Sequence, residues 1–60
     1  MPSSGTMYWW RFKGAPTPWK FGYCTHLRSP GMVRMGAYNG DQMGGSVVDV
    51  AEIEWKAYSG

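Results

Sequence analysis

The sixty-residue chain has a single cysteine, Cys24, so no intrachain disulfide can form and a disulfide-stapled secreted scaffold is excluded. No apolar run exceeds a few residues, which excludes a transmembrane helix and predicts no membrane partner. The opening residues Met1-Pro2-Ser3-Ser4-Gly5-Thr6 lack the basic and apolar regions of a secretory leader. A cytoplasmic protein with a flexible arm over residues 1–6 is therefore expected, followed by one domain over residues 7–60. Acidic residues are missing from the first forty positions, where Arg11, Lys13, Lys20, Arg28 and Arg34 stand among eight of the ten aromatics. The four carboxylates, Asp41, Asp49, Glu52 and Glu54, crowd the last twenty residues against Lys56 alone. A net charge of +2 thus conceals a segregation of +5 against −3, a distribution that suits a polyanionic partner.

Long uninterrupted segments are also lacking. Nine glycines and four prolines divide the chain into pieces too short for long helices. Between these breaks polarity alternates with period two, the pattern of strands. Met7 to Lys13 sets Tyr8, Trp10 and Phe12 against Trp9, Arg11 and Lys13. After the breaker Gly14-Ala15-Pro16-Thr17-Pro18, the aromatics suggest an inward row of Trp19, Phe21, Tyr23, Thr25 and Leu27. Lys20, Cys24, His26 and Arg28 are then expected to face outward. Ser29-Pro30-Gly31 reads as a turn, after which Val33, Met35 and Ala37 oppose Arg34 and Tyr38. Asn39-Gly40 is the preferred pair of a type I′ hairpin turn, because both central positions need positive φ. Gly44-Gly45 marks a bulge or bend in the returning strand, and Val48 and Val50 point inward.

The final segment supports two readings. Asp49 with Glu52 three places later has the form of a capping box, which would open a short C-terminal helix and give an α+β fold. Ile53, Trp55 and Ala57 alternate with Glu52, Glu54 and Lys56, which favours a single 3₁₀ turn near 50–52 followed by a last strand. The favoured fold class is all-β, five short strands in a small barrel.

This arrangement resembles the SH3-like barrel. From Trp19 to Trp55 the residue order also resembles the plasmid-borne type II dihydrofolate reductases, in Tyr23-Cys24-Thr25-x-Leu27, Gly45-Ser46-Val47 and Val50-Ala51-x-Ile53-Glu54. Those enzymes are tetramers of SH3-like barrels. Their Val-Gln-Ile-Tyr pore signature has no counterpart here, since Val48-Asp49 follow Val47 directly. The resemblance therefore implies the barrel more than the reductase activity, with an oligomeric enzyme as one alternative. Sixty residues lie near the lower limit for independent folding, which also makes a homo-oligomer or a partner-stabilised fold a reasonable expectation.

The candidate ligand face comprises Trp9, Arg11, Lys13, Lys20, Arg28, Arg34 and Tyr38. Cations beside exposed rings suit single-stranded nucleic acid, with phosphates meeting the charges and bases stacking, or an acidic protein surface. The same face would also serve simply to solvate a small barrel. Tyr8, Trp10, Trp19, Phe21, Tyr23 and Trp55 are expected to form the core, although such rings also line grooves for Pro-rich peptides. Cys24 and His26, two apart, are one pair of a four-ligand metal site at most, and no group orients the histidine for catalysis. A surface thiol is expected, with no metal, no cofactor and no catalytic residues. Gly36-x-x-x-Gly40 lacks the Gly-Lys-Ser/Thr ending of a phosphate loop. The predicted function is a non-catalytic binding module for a polyanion. A further alternative is an accessory or inhibitor protein of a mobile element or phage, acting by protein–protein contact.

Overall fold

A computed structural model of the chain describes residues 1–36 and 44–59. The protein is all-β: strands β1 (Thr6–Phe12), β2 (Lys20–His26), β3 (Met32–Gly36), β4 (Ser46–Asp49) and β5 (Ile53–Ala57), with a 3₁₀ turn at Val50–Glu52. They form one antiparallel sheet in the order β4-β3-β2-β1-β5. β1 therefore lies between β2 and β5, although β5 comes last in the chain. Among the described residues β4 and β5 stand at opposite ends of this order, linked by the 3₁₀ turn rather than by a ladder, so the pairing is that of an open sheet and not a closed barrel.

The C-terminal ambiguity is resolved in favour of the strand. The Asp49 carboxylate accepts from the Ala51 backbone N–H at 2.9 Å, capping only one short turn. Ile53 then returns to extended backbone, and burial of its side chain fixes β5 against β1. Two further turns follow sequence logic. The Ser29 carbonyl accepts from Met32 N–H, with Pro30 and Gly31 (φ +79°) at the centre. Proline then positive-φ glycine is the signature of a type II turn. Gly45, at φ +92°, bends the chain into β4, and a Cβ there would lie 2.4 Å from the Met35 carbonyl oxygen. The hairpin read at Asn39-Gly40 lies outside the described residues.

One face of the sheet carries the core of Trp10, Cys24, Val33, Met35, Val48 and Ile53, with Tyr8, Val50 and Trp55 packed against it. Directly paired antiparallel residues share a face. The pairs Trp10↔Trp55, Cys24↔Met35 and Val33↔Val48 tie that core together across the strands. Among the described residues this matches the parity read for β1, β3 and β5, except that Phe12, at the end of β1, is exposed.

β2 is a correction. Its buried residues are Gly22 and Cys24, whereas Phe21 is 44% exposed. The expected inward row Phe21-Tyr23-Thr25 faces outward, and Cys24 is fully buried rather than a surface thiol. The cause is the size of Trp10. A Cβ on Gly22 would fall 2.6 Å from Trp10 Cδ1 and 2.8 Å from Nε1, so the indole occupies the space that glycine leaves on β2. Trp10 Nε1 also donates to the Phe21 carbonyl at 3.2 Å.

Residues 1–6, read as a loose arm, are held along β2. Pro2 is buried, its carbonyl accepting from His26 Nε2 at 2.7 Å. Ser4 Oγ accepts from His26 N–H, Gly5 N–H donates to the Cys24 carbonyl, and Ser3 N–H donates to Tyr8 Oη. Cys24 itself is buried in the core of the sheet, and desolvation pushes its thiol above the ordinary value.

Candidate aromatic and cationic face

The sheet surface opposite the core is built by the same parity that buries Trp10. On β1 it carries Trp9 and Arg11. Trp9 is paired with Phe21 of β2 and Lys56 of β5, and Arg11 with Glu54. Three rings gather there. Trp9 and Phe21 stack with centroids 4.4 Å apart at 20°, and Tyr58, just beyond β5, lies 4.7 Å from Phe21 and 5.4 Å from Trp9. Such offset pairs add about 0.5–1.5 kcal/mol beyond area burial. The cluster stays open to solvent, Tyr58 being 39% exposed.

Beside this trio is a second aromatic station. The Arg11 guanidinium carbon sits 4.1 Å from the Trp19 ring centroid, and Lys56 Nζ lies 4.6 Å from the same centroid. Arg11 Nε donates to Glu54 Oε1 in a cross-strand ion pair. Among the described residues Lys56 forms no ion pair with a carboxylate, and its ammonium lies against the indole.

The structure divides the seven residues expected to form the ligand face. Trp9, Arg11 and Arg34 share the outer side, Arg34 being paired with Thr25 and Val47. Lys20 is on the other side, in register with Trp10, with Nζ 5.2 Å from the Trp10 ring and 5.9 Å from Phe12. Its assignment to the outer face followed the β2 parity and falls with it. Lys13 and Arg28 are exposed in the connections after β1 and β2, and Tyr38 lies outside the described residues. Four contributors were missed: Phe21 and Trp19, assigned to the core, Lys56, which alternates with Trp55 and so had a visible outward signal, and Tyr58. Tyr58 completes the group from beyond the last strand.

Of the Cys24–His26 pair, the thiol is buried and the imidazole is engaged by the Pro2 carbonyl. Among the described residues no three His, Cys, Asp or Glu side chains gather as metal ligands would, and no helix is long and apolar enough to cross a membrane. The outer face brings the rings of Trp9, Phe21 and Tyr58 together with the cations Arg11, Arg34 and Lys56 and the carboxylate of Glu54. Comparisons of the chain with protein-family models, with curated proteins and with solved structures find no match, so these residues themselves carry the functional argument.

Proposed function

We propose that the protein is a non-catalytic binding module whose outer sheet face takes single-stranded nucleic acid. The observation that carries this reading is the solvent-open trio Trp9, Phe21 and Tyr58, set beside the cations of Arg11 and Lys56. Bases present π-faces to such rings at about 1–3 kcal/mol each, whatever their identity, while phosphates are drawn to the cations. A fixed sheet supports the rings, so little ordering is needed on binding. Arg34 on the same side extends the positive charge toward β3 and β4.

The test is titration of an oligothymidylate of about ten nucleotides at low and moderate salt. Tryptophan quenching with an affinity that falls as salt rises is expected, and Phe21→Ala should weaken it roughly 5- to 150-fold, the value of one stacked base. A strand that fails to bind even at about 50 mM salt removes the reading.

Val47 favours a second reading, docking on a protein surface, because it is 54% exposed on the same outer side. Nuclease treatment separates the two: a protein complex survives it and a nucleic-acid complex does not.

A further inference from the structure

We infer that Arg11, Lys56 and Trp19 form a subsite for a single phosphodiester, placed next to the base-stacking trio. The inference rests on the reading of the outer face as a single-strand platform and assigns the site of its backbone contact. Arg11 and Trp9 are two residues apart on one strand face, a separation of about 7 Å. Lys56 bridges this interval. Its backbone stands opposite Trp9, yet its ammonium lies 4.6 Å from the centroid of Trp19, the ring that the Arg11 guanidinium meets at 4.1 Å. Two cations thus converge on one ring immediately beyond the stacking rings, where the linkage leaving a stacked nucleoside would pass.

The charge balance specifies the class of ligand. Arg11 and Lys56 against Glu54 leave a local charge of +1, which one phosphodiester neutralises and a dianionic phosphate monoester overshoots. Arg11 is also preset. Its Nε is held by Glu54 and its plane is placed against Trp19, while its other N–H donors make no hydrogen bond to the described residues. The fork therefore keeps donors for phosphate oxygens, and the indole stem limits the rotamer freedom that would otherwise be lost on binding.

Indole Nε1–H signals of the ¹⁵N-labelled full chain, assigned with Trp→Phe variants, locate the ligand. Thymidine should move the Trp9 signal and leave Trp19 in place. Thymidylyl-thymidine, which adds one phosphodiester, should move both and bind about fivefold tighter, the upper end for one exposed charge contact. Lys56→Gln should erase most of that gain, with an unaltered amide spectrum showing that the fold is retained. A dinucleotide that moves Trp9 but not Trp19, or a Lys56→Gln protein that keeps the full gain, overturns the subsite and leaves strand binding standing. Absence of any shift with both ligands, or equivalent shifts with a proline-rich peptide and none with nucleotide, overturns the platform itself.

Discussion

Trp9 and Trp10 are neighbours in the chain and opposites in the molecule. Trp10 is 2% exposed, hydrogen-bonded through Nε1 and fitted into the space over Gly22. Trp9 lies on the reverse of the sheet, stacked on a phenylalanine that is itself open to water. Both faces are rich in rings, so hydrophobicity alone does not say which is the core. Closure against the other strands does: Val33, Met35, Val48 and Ile53 stand on Trp10's side, whereas Arg11, Arg34, Glu54 and Lys56 stand on Trp9's.

The sharpest way to break this contrast is to truncate each ring. Trp10→Ala should cost about 3–5 kcal/mol, enough to unfold much of so small a domain, whereas Trp9→Ala should cost about 1 kcal/mol. Chemical denaturation of the two variants measures both, and equal losses would erase the distinction between the faces. Gly22→Ala is the next largest effect. It places a methyl against the Trp10 indole and Met35 Cβ, and about 1–3 kcal/mol of destabilisation is expected, since the nearest atoms belong to a wedged ring.

Alkaline pH probes the buried face more gently. The Cys24 thiol has a folded pKa raised by desolvation, so its contribution is intact below the ordinary value of 9.0. Above 9.0 the unfolded chain releases its thiol proton first, and that contribution is lost as pH rises through the raised folded value. Melting temperatures of the wild type and Cys24→Ala should therefore converge as pH climbs past 9.0, and parallel curves would refute the burial argument. The smallest effect belongs to the outer face. Glu54→Gln removes a half-exposed ion pair and should cost less than about 1 kcal/mol, diminishing further in high salt.

The contrast also explains what could be read from residues alone. β1 was legible because polar Arg11 and Lys13 oppose Tyr8, Trp10 and Phe12. The 3₁₀ turn and β5 were legible because Ile53 and Trp55 alternate with charge. On β2 the same rule misled, since the rings of Phe21 and Tyr23 carry far more apolar area than Gly22 and Cys24. The deciding fact was volume: one indole from β1 fills the place of a side chain on β2, a pairing between strands that no single strand records. The site suffered accordingly. Trp9, Arg11 and Arg34 were placed on the outer face, Lys20 was placed on it wrongly, and Phe21 and Trp19 were assigned to the interior. The tethering of the first five residues was equally hidden, because it depends on the backbone of β2 and on His26 rather than on any local pattern.

The position of β1 between β2 and β5 has a consequence for synthesis in the cell. The Arg11–Glu54 pair joins residues 43 apart, and the Lys13 N–H donates to the Glu52 carbonyl beside it. An interior strand whose second neighbour follows the other four in sequence cannot complete its ladder until that neighbour too has left the ribosome, and such distant closure is slow. Until then one edge of β1 is unpaired, so a nascent chain stalled before Ile53 would expose a tryptophan-rich strand to chaperones and to its own neighbours.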